Sequence, residues 1–349
     1  MVNAVGWVKL EDCGENHGYA TFRYAICEKP ELSHIAVSHY RKSSFPHISG
    51  NIFRRGKRLR LFLMKIYTMA SVEELKGIAS QVRRDIVRMV NGASSGHPGG
   101  SLGCTDFMVA LYFNQMNHNS NFTMDGLNED IFFLSNGHIC PVWYSVLAHA
   151  GYFDKAELAT FRKLNSRVQG HPATAEHLPG IRSAAGSLGQ GMSVAIGAAL
   201  AKRLNNDKGI VYTLHGDGEF QEGQIWEALM FAPHHKIDNL ICTIDYNNKQ
   251  IDGDVDQVLS HRDLKAKIRE FGWDVIEVTD GNDMQAVVDA LANAKALTGK
   301  GTPVFIMLHT VMGKGVDFME NNHHWHGVAP NAEQLASALG QLQETLGDY

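Results

Sequence analysis

Residues 210–218 read Ile-Val-Tyr-Thr-Leu-His-Gly-Asp-Gly, and residues 240–249 read Leu-Ile-Cys-Thr-Ile-Asp-Tyr-Asn-Asn-Lys. Each begins with a short, β-branched apolar run and closes on turn residues, the pattern of a strand buried on both faces. Helical periodicity follows each run, over 221–234 and 259–271. Two further strands are predicted over 274–278 and 304–308, with a helix over 284–296 between them. Upstream, Ser71-Val72-Glu73-Glu74 offers an N-cap with an acid at the third helical position. The stripe Leu75, Ile78, Val82, Ile86 and Val90 then predicts a helix to about residue 90. Helices over 105–115, 138–150, 155–165, 192–204 and 332–346, and a strand over 130–134, complete the expectation. Strand and helix in alternation mean an α/β fold: a doubly wound, mainly parallel sheet with helices on both faces, spanning 69–349.

The composition is that of an ordinary globular protein: 349 residues, 44% hydrophobic, 20% charged, net charge -5. The acidic balance argues against nucleic acid as a partner. No apolar run approaches the roughly 18 residues of a membrane span, which argues against a membrane protein. Cys13, Cys27, Cys104, Cys140 and Cys242 are odd in number and scattered, with neither zinc spacing nor a CxxC pair. That usage fits a reducing cytoplasm. Charge is unevenly spread. Residues 1–68 carry eleven Lys/Arg against five Asp/Glu, and Arg54, Arg55, Lys57, Arg58 and Arg60 fall within seven positions. This segment reads as an atypical basic leader, either disordered or a misassigned start. Glu11, Asp12 and Glu15 make it a poor transit peptide, and the apolar patch 61–64 is too short for a secretory signal.

The chemistry begins at Gly216-Asp217-Gly218. Its position between strand and helix puts it outside the carboxyl end of a strand, where doubly wound sheets bind ligands. Glycines admit a phosphate close to the backbone, and Asp217 adds a hard oxygen. On an adjacent parallel strand, Asn247 would lie beside Asp217. A carboxylate, an amide oxygen and a backbone carbonyl suit Mg²⁺ shared with a diphosphate. Taken alone, the first motif is equally a tight turn and the asparagine pair a loop cap. The combination at a spacing of thirty residues points to a cofactor site. Eighteen histidines are present, and His97, His138, His171 and His326 occupy loops flanked by Gly or Pro. Four such positions on one scaffold suggest a site for hydrogen bonding and proton handling. His118, His149, His177, His234, His235, His261 and His324 are read as structural or surface groups.

The pattern Gly-Asp-Gly…Asn-Asn is that of thiamine diphosphate enzymes. With Ser95-Gly96-His97-Pro98-Gly99-Gly100, Ser135-Asn136-Gly137-His138, Gly170-His171-Pro172, Gly186-Ser187-Leu188-Gly189-Gln190-Gly191 and Trp325-His326-Gly327 in this order, residues 71–330 resemble transketolase. The resemblance implies thiamine diphosphate and Mg²⁺, with Ca²⁺ or Mn²⁺ as alternatives. It also implies transfer of a two-carbon ketol unit from a ketose phosphate to an aldose phosphate, as in the pentose phosphate pathway. Asp217, Asn247 and the Lys249 carbonyl would hold the metal. Gly186, Ser187, Leu188 and Gly218 would face the diphosphate, and His97, His138, His171 and His326 would be catalytic, lining the channel. Glu222 would be a carboxylate beside the cofactor or at an interface between two sites, or simply a solvated acid at a helix start.

A one-chain transketolase is expected to add pyrimidine-binding and C-terminal domains, including the glutamate that activates the cofactor. The chain therefore resembles the N-terminal subunit of a split transketolase, inactive alone and paired with a C-terminal subunit in an α₂β₂ assembly. Two departures leave the sugar open. Gly100 stands where some relatives carry a hydroxyl, and Met312 where many carry a lysine, so a sulfosugar or branched sugar is an alternative substrate. Competing readings are membership of another thiamine diphosphate enzyme, decarboxylating 2-oxo acids or resembling deoxyxylulose-phosphate synthase, and a non-catalytic cofactor-binding partner.

Overall fold

A computed structural model of the chain describes residues 70–349 and, ahead of them, the backbone of β1 (Asn3–Lys9) and β2 (Tyr19–Ala25). The chain divides between Lys65 and Ile66 into two units. In the first, β1 and β2 pair antiparallel, Asn3 opposite Ala25 and Lys9 opposite Tyr19. The basic run 54–60 and the remainder of the expected leader lie outside the described residues.

The second unit opens with α1 (Val72–Ala93), started by the expected capping box. The Ser71 amide donates to Glu74 Oε2 at 2.7 Å, and the Glu74 amide returns a bond to the Ser71 hydroxyl. Such a cap is worth about 1 kcal/mol. There follow α2 (Pro98–Gly103), α3 (Thr105–Ala110), β3 (Ile131–Leu134), α4 (Cys140–His149), α5 (Gly191–Leu204), β4 (Val211–Gly216) and α6 (Gly223–His234). The chain continues through β5 (Leu240–Asp245), the small pair β6 (Lys249–Gln250) and β7 (Gly253–Asp254), then α7 (Val255–Leu259) and α8 (Leu264–Glu270). It closes with β8 (Asp274–Val278), α9 (Met284–Leu297), β9 (Val304–Leu308) and α10 (Ala332–Gln341).

The central sheet is parallel throughout, in the order β3-β4-β5-β9-β8. Side-chain alternation places Tyr212, Leu214, Ile241, Val304 and Ile306 in one core, against α1, α3, α4 and α9. Val211, Leu240, Cys242, Phe305 and Met307 join a second core with α5, α6 and α8. Strands buried on both faces are why the sequence shows continuous apolar runs. Among the described residues no helix is long and apolar enough to cross a membrane.

Several helices are shorter than their periodicity predicts. The 155–165 helix is only a 3₁₀ stretch, Lys155–Thr160, because Arg162 and Asn165 take left-handed backbone with φ 58° and 63°. The 259–271 helix breaks into α7 and α8 where Arg262 does the same. The 105–115 helix loosens into a π turn over Leu111–Gln115, and the closing helix ends at Gln341 rather than 346.

Candidate active site

In the β4–β5 register, Gly216 pairs with Asp245 at the carboxyl edge of the sheet. The next residues out, Asp217 and the Tyr246-Asn247-Asn248 turn, therefore leave from neighbouring strand ends. Asp217 is only 2% exposed. Its Oδ1 accepts from the Gly218 amide at 2.7 Å and its Oδ2 from the Asn248 amide at 2.5 Å. The Asn247 amide group donates to Asp245 Oδ2 at 2.8 Å, and its oxygen accepts from the Lys249 amide at 2.8 Å. The Lys249 ammonium is paired with Asp254, so what Lys249 can offer a cation is its carbonyl.

Burial raises the Asp217 carboxyl well above the usual carboxylate range, and the neighbouring Asp245 raises it further. Burial raises Asp245 too, against a bond from the Thr310 hydroxyl. Among the described residues neither carboxylate has a cationic side-chain partner. Two adjacent buried acids without a counter-charge fit a divalent cation, and carboxylate, amide and carbonyl oxygens suit a hard one. No cluster of three or more His, Cys, Asp or Glu ligands occurs among the described residues, so any metal held here relies on this mixed oxygen set.

Two residues without a sequence motif of their own brace this turn. His261, read above as structural, is buried beneath it and donates from Nε2 to the Asp217 carbonyl at 2.7 Å. Glu219, 2% exposed, accepts from the Gly216 amide at 3.1 Å, the Gly189 amide at 2.8 Å and the Ser135 hydroxyl. It thus joins the ends of β3 and β4 to the glycine-rich loop before α5. Burial acts to raise its carboxyl, but His215 at 3.5 Å and the Ser135 and Gly189 donors outweigh that and hold it low. No motif flagged Glu219, because its three partners come from three separate loops. Glu222, the acid singled out from sequence, is exposed at the start of α6 and has no side-chain partner among the described residues. Gly189 packs against its stem.

The four loop histidines converge. Ring centroids of His97 lie 5.0 Å from His138, 5.6 Å from His326 and 6.4 Å from His171, and His138 lies 5.0 Å from His326. Glycines make the approach. A Cβ on Gly137 would collide with the Ala185 carbonyl, so only glycine lets the His138 turn seat against the 185–188 segment. Gly186 faces the His171 ring at 3.8 Å, and Gly327 faces His97 at 3.4 Å. Nδ1 of His97 and of His326 and Oδ1 of Asn136 are buried without partners among the described residues. Polar atoms so placed are costly unless a ligand meets them. Burial, with His326, Arg162 and His171 nearby, lowers His97 to about 4. Burial likewise pushes His138 well below its usual value and lowers His171 and His326, with Arg162 adding to the fall at His171.

The two departures sit in this floor. Met312 is buried against Gly99, where a Cβ would stand 2.7 Å from its Cγ. A Cβ on Gly100 would stand 2.8 Å from Ile139 and 4.0 Å from Asp245 Oδ2. Two of the histidines read as structural, His118 and His149, are held in the core by Tyr112 and Tyr152 and by Asp85.

Comparison with known proteins agrees with this geometry. The family description "Transketolase, thiamine diphosphate binding domain" matches residues 75–346. One of the separately encoded subunits of an apulose-4-phosphate transketolase from Actinobacillus succinogenes is 35% identical over 277 residues, 78% of this chain and 98% of that protein. A 6-deoxy-6-sulfo-D-fructose transketolase subunit from a Clostridium species is 36% identical, covering 78% and 97%. The solved transketolase of Leishmania mexicana superimposes with a TM-score of 0.72 at 32% identity, over 81% of this chain but 43% of that one. The chain thus spans less than half of the single-chain structures it matches.

Proposed function

The chain belongs to the transketolase family, as its thiamine diphosphate-binding domain, and from that premise we propose that it is the N-terminal subunit of a two-chain transketolase. The observation that carries the reading is the meeting, at one edge of the sheet, of the Asp217–Asn247 cradle and four imidazoles within 5.0–6.4 Å of one another. The two-chain assignment is supported by matches that span 97–98% of the separate subunits and only 42% of human transketolase.

Asp217, the Asn247 amide oxygen and the Lys249 carbonyl would hold Mg²⁺, or Ca²⁺ or Mn²⁺ by the same hard-oxygen preference. Gly186, Ser187, Leu188 and Gly218 would line the diphosphate side. Thiamine diphosphate, when bound, supplies a nucleophilic carbon for a ketone and an electron sink for the bond that breaks. The protein's own part is positioning and proton handling. His97, His138, His171 and His326 are neutral near pH 7, so each ring can donate at one nitrogen and accept at the other. The unpartnered Nδ1 atoms of His97 and His326 would take sugar hydroxyls or their protons. Met312 and Ile139 supply an apolar floor that excludes water. Glu222 is exposed and so is available to an interface rather than to the cofactor.

The partner would be a C-terminal transketolase subunit with pyrimidine-binding and C-terminal domains, in an α₂β₂ assembly. A cytoplasmic setting belongs to the same proposal, supported by free, buried Cys104, Cys140 and Cys242. The sugar is an open element. Relatives are named for apulose 4-phosphate and 6-deoxy-6-sulfo-D-fructose, so both belong in a donor panel beside xylulose 5-phosphate. The test is ketol transfer to an aldose phosphate, with Mg²⁺ and thiamine diphosphate, by this chain alone and with the chain that co-purifies from its native cell. Turnover of a ketose donor only in the mixture is expected. Turnover of pyruvate-type donors instead, or of none, would overturn the reading.

A further inference from the structure

Among the described residues, Arg162 is a cation without an acidic partner at the mouth of the histidine channel. It forms no ion pair there, and its Nε is buried without a hydrogen bond. Its backbone is left-handed, φ 58°, held by its amide donating to the Val168 carbonyl at 3.0 Å. This geometry ends the 3₁₀ stretch before it and turns the side chain back towards the His171 loop. There Gly170 makes room: a Cβ at that position would stand 2.8 Å from Arg162 Nε and 2.9 Å from its guanidinium carbon. On the other side Nη1 donates to the Ser95 hydroxyl at 2.8 Å, two residues before His97.

We propose that Arg162 is a positioning residue of the channel: it bridges the loop of His97 to the loop of His171 and sets an uncompensated positive charge over both rings. The inference deepens the transketolase reading and rests on it for its purpose, since a ring kept neutral can pass a sugar proton. The charge acts on both rings in the expected direction, as the lowered His97 and His171 show. Other groups face them from every side. His138 and His326 approach His97, Asp252 acts on His326, and Cys140, Tyr144 and Glu176 lie around Arg162 on the α4 side. Of these only Asp252 and Glu176 are acids, and neither is paired with Arg162 among the described residues. Sequence alone could not single out Arg162, because Ser95 and Gly170 lie 67 residues before it and eight after it.

The test is proton NMR titration of the imidazoles in the full chain, assigned with His97→Gln and His171→Gln, in wild type, Arg162→Met and Arg162→Lys. Arg162→Met is expected to shift the midpoints of His97 and His171 upward while leaving surface histidines such as His235 in place. Arg162→Lys keeps the charge and should stay near wild type; Arg162→Gln replaces the Met variant if that one is insoluble. In the reconstituted complex the charge-free variant should lose on the order of tenfold in kcat/KM, concentrated at the acidic end of the profile. Unmoved midpoints in Arg162→Met, or equal shifts in Arg162→Lys, would overturn the proposal. The titration needs no turnover, so it answers even if the chain proves not to serve a transketolase.

Discussion

The two ends of the site are built by different means. The metal end is an outcome of strand register: Gly216 opposite Asp245 fixes where Asp217 and Asn247 emerge, and backbone amides hold the carboxylate. The histidine end is assembled from four loops separated by up to 229 residues, and it depends on close approaches at Gly137, Gly186 and Gly327. Register is rigid and simple to specify, so it suits a fixed charge array. Converging loops need more specification but allow the pocket floor to vary, and it is there that Gly100 and Met312 depart from the family pattern.

The contrast can be broken by mutation. Asp217→Ala removes the metal end at its centre and should weaken Mg²⁺ and thiamine diphosphate binding by more than about a hundredfold. Titrating the reconstituted complex with each would measure it, and near-normal affinity would remove Asp217 from the site. Next in size, His97→Gln should lower kcat at saturating cofactor by about a hundredfold, read by steady-state ketol transfer. His261→Gln touches the metal end only through the Asp217 carbonyl, so a loss of about tenfold in metal affinity is expected from calorimetry. Unchanged affinity would make His261 a packing residue.

The smallest effect belongs to pH and sharpens the histidine side. His97 is lowered in the folded chain to about 4 from its ordinary 6.5. Between those values the unfolded chain binds the proton and the folded chain does not, so stability falls as pH drops from 6.5 towards 4 and is unaffected above. Urea midpoints across that range should show the slope, and His97→Gln should flatten it.

How much of this was legible follows the same division. The strands at 211–216, 240–245, 274–278 and 304–308 and the Ser71 cap were readable because apolar runs and capping chemistry are local signals. The helix at 155–165 was not, because Arg162 and Asn165 take left-handed backbone that neither residue type advertises. Asp217 and Asn247 were visible as a spaced motif, and the four histidines as Gly/Pro-flanked loops. Glu219, His261 and Arg162 were invisible, since each is defined by partners distant in sequence: Ser135 and Gly189, the Asp217 carbonyl, and Ser95. Glu222 had the better motif position yet faces solvent, which pattern alone could not tell.

The most direct measurement compares Asp217→Ala and His97→Gln side by side in the reconstituted two-chain complex, recording cofactor affinity and kcat at saturating cofactor for each. A division of labour predicts that Asp217→Ala shifts affinity by orders of magnitude, while His97→Gln keeps near-normal affinity and loses turnover. Equal loss of cofactor binding in both variants would contradict it, and would make the histidine cluster part of the cofactor cradle rather than the seat of the chemistry.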